Sequence, residues 1–290
     1  MAKGKKLNVI QVIGLAILGI VAAGSIAGAI YRKPAEEFNK NDTTINVGDF
    51  YELTVSSSGV SEGETNAVTR FIGVSAASTI KAIGDENGAM AAVKAPSNGS
   101  LVFENLTIAD ETTDVITETR FPNDRYLSFG GKLTFKNCKF TDPICIREDA
   151  EAEFINCTFL SPESKLYSVW MSDGSATFKG CLFTGQRGMK IHEYEERKYE
   201  DVKKVIIENC DFLDLWSKPG VVIGTFTTPR NVAITITSSR FLRNCYWDTV
   251  GSLAGVDSFY ETDTPLSEIS FTERGNVVLY DDNKYWSETY

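Results

Sequence analysis

The chain has 290 residues, is 42% hydrophobic and carries a formal charge of −10. That is enough apolar material for one elongated domain with a continuous core, and eight prolines leave no room for a long Pro-rich flexible region. The acidic balance argues against nucleic acid and other polyanions as partners, unless a local patch or a metal intervenes.

Residues 9–30 are apolar except for Gln11 and Ser25, and Lys3, Lys5 and Lys6 precede them. The run is long enough to span a bilayer, which takes about 20 residues. It exceeds the 7–15 residues usual for a cleaved signal core, but Ala27-Gly28-Ala29 would suit cleavage. Two readings stay open: an uncleaved transmembrane anchor, or a signal helix that is removed. In both, the basic N-terminus stays inside and the rest is exported, giving a membrane-anchored extracytoplasmic domain or a secreted one. The first 33 residues hold five basic groups and no acid, so the remainder is more acidic than the whole, with 24 basic and 39 acidic residues.

Residues 34–100 read as a polar linker followed by irregular first coils, with strand-like pieces at Phe50–Val55 and Ile80–Ile83. From about residue 101 to 245 a short phrase recurs. It reads Phe135-Lys-Asn137-Cys138-Lys-Phe140, Phe154-Ile-Asn156-Cys157-Thr-Phe159, Phe178-Lys-Gly180-Cys181-Leu-Phe183 and Ile207-Glu-Asn209-Cys210-Asp-Phe212. Weaker copies surround Leu106 and Ser239. The equivalent positions 106, 138, 157, 181, 210 and 239 are separated by 32, 19, 24, 29 and 29 residues. A fixed phrase at variable intervals suits a solenoid whose coils share a strand and turn and differ in their loops. The alternation before each Asn predicts half-buried strands. Asn tolerates the left-handed conformation and suits a bend. Stacked Asn amides and stacked Phe rings would follow on successive coils.

A second strand is expected after each phrase, at Ile144–Arg147, Val169–Ser172, Met189–His192 and Val221–Gly224. Stacking Ile146, Met171, Ile191 and Ile223 inside would send two columns outward. One holds Arg147, Ser172, His192 and Gly224; the other holds Cys145, Trp170, Lys190 and Val222. A slip of one residue would invert this register.

These phrases resemble the right-handed parallel β-helix of the pectate-lyase-like superfamily, over roughly residues 100–245. The resemblance implies an all-β fold. It does not choose among lyases, esterases, polygalacturonases, phage tailspikes and noncatalytic surface proteins. In its enzymes, carboxylates, Arg or Lys, and sometimes calcium, work on an exposed sheet face. Here the matching face would hold Arg147, Glu148 and Asp149, then Trp170 and Asp173, then Arg187, Lys190, His192 and Glu193. Trp170 would stack on a sugar ring, with Arg147, Lys190 and His192 as further ligand contacts. Asp173 and Glu193 would serve as a carboxylate pair for hydrolysis, and Lys190 as base in a lyase. An outward sheet face must be polar in any case, and His192 is the sole histidine. No zinc spacing is present, and Asp281-Asp282 and Glu148-Asp149 are the pairs left for calcium.

Cys138, Cys157, Cys181 and Cys210 share one repeat position and are expected as free, buried thiols. Cys145 and Cys245 lie outside that column. Residues 246–290 lose the phrase but keep Tyr280, Tyr285, Trp286 and Tyr290, which suits a cap over the last coil. Three functions follow: an exported β-helix that binds a glycan or surface partner without turnover, a polysaccharide lyase or hydrolase, or a structural subunit that forms homo-oligomers.

Overall fold

The computed structural model describes residues 42–54, 67–83, 92–110, 127–161, 167–192, 202–215, 223–226, 232–246, 260–262, 270–278 and 284–285, except 97, 148 and 186. Residues 9–30, expected to form an apolar helix, lie outside the described residues. Among those described, no helix is long and apolar enough to cross a membrane.

The described chain is a parallel β-helix. Each full coil contributes one strand to each of three sheets. The first sheet stacks nine strands in chain order, from Thr43–Val47 to Ser270–Arg274. The second stacks nine, from Phe50–Thr54 to Val277–Val278. The third stacks seven, from Ala92–Lys94 to Tyr260–Thr262. All the pairings are parallel, including a small extra pair between Cys245–Tyr246 and Lys284–Tyr285.

The recurrent phrase is the corner between the first and second sheets. Lys132–Lys136 runs along the first sheet, Asn137 turns, and Lys139–Phe140 starts the second. The turn is left-handed: φ is 57° at Asn105, 52° at Asn137 and Asn156, 54° at Asn209 and 51° at Ser238. Gly180 and Gly275 take the same place at 62° and 66°. Asn is the residue besides Gly that pays least for this conformation, which explains its recurrence. The Asn137 amide donates to Asn105 Oδ1 at 3.0 Å, so a side-chain ladder does form between these two coils.

Inside the corner the rings stack in two columns. Phe71, Phe103, Phe135, Phe154 and Phe178 form one, at successive centroid distances of 5.0, 4.9, 4.8 and 4.8 Å. Phe140, Phe159, Phe183, Phe212 and Phe241 form the other, at 4.9, 4.7, 4.7 and 4.7 Å. The spacing is the distance between hydrogen-bonded strands, so the backbone ladder sets the ring stack.

Between these columns lie the four phrase cysteines, buried and free as expected. Each donates its thiol hydrogen to a backbone carbonyl, as Cys138 Sγ does to Phe103 O at 3.4 Å and Cys210 Sγ to Glu208 O at 3.3 Å. Ser78 and Ser239 hold the same place in flanking coils and donate to Val47 O at 2.9 Å and Thr237 O at 3.0 Å. A small side chain with one proton to give satisfies this position.

The thiols make the fold sensitive to alkali. A hydrogen bond to Cys138, with burial behind it, pushes Cys157 up to about 12; a hydrogen bond to Cys157 does the same for Cys181, and Cys210 is raised for the same reasons. An unfolded thiol titrates near about 8.5. The folded state therefore holds protons that the unfolded state releases. The stabilisation is complete below about pH 8.5 and is lost as pH rises toward the folded values. Thermal melts should show the midpoint falling between about pH 8.5 and 9.5, with a smaller fall in Cys181→Ala; equal falls in both proteins would contradict this origin.

Candidate functional site

The third-sheet face was the expected site, and its strands bring several of the expected residues together. Cys145, Trp170 and Lys190 are direct neighbours on successive strands. The fourth member of that column is Gly224, since Ile223 pairs with Met189 rather than with Ile191. The expected register at Val221–Gly224 is therefore corrected by two residues: Gly224 stands where Val222 was expected, and Val221 and Val222 lie outside the described residues. Ser172 pairs with His192, and Phe226, not Gly224, follows it. Glu148 and Glu193 lie outside the described residues, as does the side chain of His192.

The chemistry of this face differs from an open sugar platform. Trp170 is 4% exposed and Cys145 is 4% exposed, and together they form a small apolar cluster separate from the main core. Lys190 Nζ lies over the Trp170 ring at 4.9 Å from its centroid. Desolvation lowers the Lys190 pKa, because burial disfavours the ammonium ion. Burial likewise pushes the Cys145 thiol up to about 12, so it is protonated and unreactive near neutrality. Cys145 is a free thiol and makes no bridge to Cys245. Asp173 is 2% exposed and sits in a left-handed turn with φ at 62°. Arg147 is exposed at the strand end, and Arg187 lies 5.3 Å from the Tyr167 ring centroid.

A second surface, which the sequence reading passed over, is open. It is a groove of about 760 Å³ over the outward face of the first sheet. Its floor has two columns of side chains. Thr134, Glu153, Thr177 and Ile206 are register partners on four successive strands. Beside them run Lys132, Glu151, Ser175 and Lys204. The Lys204 amide donates to Ser175 Oγ at 3.1 Å, which fixes the last step of that column.

Asp149 and Val202 also line the groove. Asp149 is held by Lys94 at 2.5 Å and reaches it across Gly130, where an added Cβ would sit 2.7 Å from Asp149 Oδ1. Glu153 accepts from Lys179 Nζ at 3.0 Å. That contact raises the lysine's pKa, chiefly through the hydrogen bond. The signal for this surface was present in the phrase: positions three and five residues before each Asn-type turn, such as Thr134 and Lys132 before Asn137, face out of the first sheet. The sequence did not say which of three faces stays open.

Among the described residues, no group of three or more His, Cys, Asp or Glu side chains has the arrangement to hold a metal ion. Glu148, Asp281 and Asp282, named for calcium, fall outside them.

Comparison with known proteins agrees with this architecture. Residues 126–251 match a family model described as a right handed beta helix region. No curated protein and no solved structure matches the chain. The match covers the most regular coils and gives the handedness that parallel crossovers favour.

Proposed function

We propose that this β-helix domain binds an extended glycan along the outward face of its first sheet, without turning it over. One observation carries the reading: the groove floor repeats Thr, Ser, Lys and Glu side chains on four consecutive strands. Those strands are about 4.8 Å apart. A polymer lying across them meets a hydrogen-bonding group at every step, which suits a chain of hydroxyl-bearing units. The floor has few large apolar side chains, so binding would rest on polar contacts and bridging water. Export and membrane attachment through residues 9–30 belong to the same proposal. They are supported by the apolar length and the flanking lysines of that segment.

The test is a glycan-array screen on the purified full chain, repeated with Thr177→Trp, which fills the groove floor without touching the core. Bound glycans should be lost from the variant, while its melting curve is unchanged. Hits that bind Thr177→Trp as well as the native chain would place binding elsewhere.

A second reading is favoured by one feature, the half-buried Lys190 whose amine is pushed toward its neutral form. A neutral lysine is the protonation state that a lyase base needs. Ultraviolet assay for unsaturated products on every array hit separates the two: product formation abolished by Lys190→Met would favour the lyase, and binding without product favours recognition alone.

A further inference from the structure

The groove's charges are unevenly compensated, and this bears on what kind of glycan it takes; the inference rests on the glycan-binding reading above. Asp149 and Glu153 are each paired with a lysine that is not part of the groove lining, Lys94 and Lys179. Their charges are therefore met from outside. Lys132, Glu151 and Lys204 are exposed, and their side chains make no hydrogen bond or ion pair among the described residues. All three belong to one column. Read along the solenoid axis, it runs cation, anion, hydroxyl, cation: Lys132, Glu151, Ser175, Lys204.

We propose that the groove is selective for a zwitterionic glycan, a polymer that carries both anionic groups and free amines. Lys132 and Lys204 lie three strands apart, about 14 Å along the axis at ~4.8 Å per strand. They would take carboxylates or phosphates on separate units of one polymer. Glu151, one strand from Lys132, would take an ammonium group between them. A purely anionic polymer meets the Glu151 carboxylate in mid-groove as a repulsive contact, and a purely cationic one meets two lysines. Rejection of the wrong charge pattern is how such a site would discriminate. The surrounding protein is acidic, so a ligand with many uncompensated negative charges is further disfavoured at a distance.

The experiment measures binding of the full chain to four polymers at low and moderate salt. Hyaluronan is anionic, chitosan cationic, dextran neutral, and partially N-deacetylated hyaluronan zwitterionic. The zwitterionic polymer should bind about tenfold more tightly than hyaluronan or chitosan, the effect of one charge-assisted hydrogen bond gained and one repulsion avoided. Glu151→Gln should remove its advantage over hyaluronan. Lys132→Gln with Lys204→Gln should remove its advantage over chitosan. Both changes are at exposed positions and should leave thermal stability intact.

Equal binding of hyaluronan and its N-deacetylated form by the native chain would overturn the proposal, as would variants that leave the order unchanged. If dextran or other neutral glycans bind native and variant chains alike, the charge selectivity falls and the glycan-binding reading survives. If nothing binds across these polymers and the wider array, both fall together.

Discussion

Phe154→Ala should cost about 3–5 kcal/mol of folding stability, the range for removing a large buried aromatic ring from a packed core. The ring is fully buried. It stacks on Phe135 and Phe178, each at 4.8 Å, and takes edge contacts from Phe159 at 5.3 Å and Phe140 at 5.7 Å. A globular core can partly collapse around such a gap. A β-helix has less freedom to do so, because the strands on either side of Phe154 are hydrogen-bonded at a fixed spacing. The loss is large against a total stability of about 5–15 kcal/mol for an ordinary domain. Urea denaturation measures it, with Phe50→Ala as the control: Phe50 is 41% exposed and its neighbour is the Lys81 ammonium at 5.1 Å. The control should lose about 1 kcal/mol or less. If the two variants lose similar amounts, the stacked column is not the main source of stability.

Gly73→Ala should be the second most damaging of the changes considered, at about 3 kcal/mol, the upper part of the usual overpacking range. A Cβ at Gly73 would lie 2.0 Å from the Asn105 carbonyl oxygen and 2.9 Å from the Ser78 Cβ. The first obstacle is backbone, and that backbone is not free to retreat. Asn105 is in the left-handed turn, its amide donates to Lys136 O at 2.9 Å, and its side chain accepts from Asn137. Moving it disturbs the corner of the next two coils. Ser78 is similarly tied, to Val47 O. Gly48 offers the contrast, since an added Cβ there meets nothing within 4 Å. Gly48→Ala should be neutral or stabilise by about 0.5 kcal/mol through the unfolded chain. Matched denaturation curves decide; a Gly73→Ala protein as stable as Gly48→Ala would show that the corner yields easily.

Those two positions also mark how far the sequence could be read. The corner was legible because its demands are chemical. A left-handed residue, a small side chain with a proton to give and inward rings recur at fixed places in the strongest copies of the phrase, and few residue types meet each requirement. Hence Asn137, Cys138, Phe135 and Phe140 announced their roles. The third sheet has no such marker. Val221-Val222-Ile223 offers three β-branched residues in a row, any of which suits an inward place, and the register came out shifted by two. Trp170 illustrates a different limit. Its column faces away from the core, as alternation required, but alternation says nothing about what else covers a face. The open groove depended on the same missing knowledge. Lys132, Glu151, Ser175 and Lys204 could be placed in one column from the phrase alone, yet nothing in their identities distinguishes a binding surface from a solvated one. Gly73 was not readable at all: its importance arises from the five-residue stretch Gly73–Ala77 standing where other coils have a single Asn, and only the fold brings Asn105 against it.

The two phenylalanine columns are offset along the axis. One begins at Phe71 and gives way to Ile207; the other begins at Phe140 and continues to Phe241. Among the described residues, three coils carry both rings, those of Phe135 with Phe140, Phe154 with Phe159 and Phe178 with Phe183, and there the columns also lock edge to face at 5.3–5.6 Å. In a solenoid, stability is a sum over neighbouring coils rather than a property of the whole. The described coils thus have a firm middle and softer ends. Backbone amides of the described strands between Lys132 and Phe183 should exchange with solvent only on global unfolding, whereas strands of the coils beyond them open earlier from either end. The groove's floor begins on that hard middle at Lys132 and Thr134 and runs past it at Lys204 and Ile206, so one end of a bound polymer would lie on rigid ground and the other on coils that breathe.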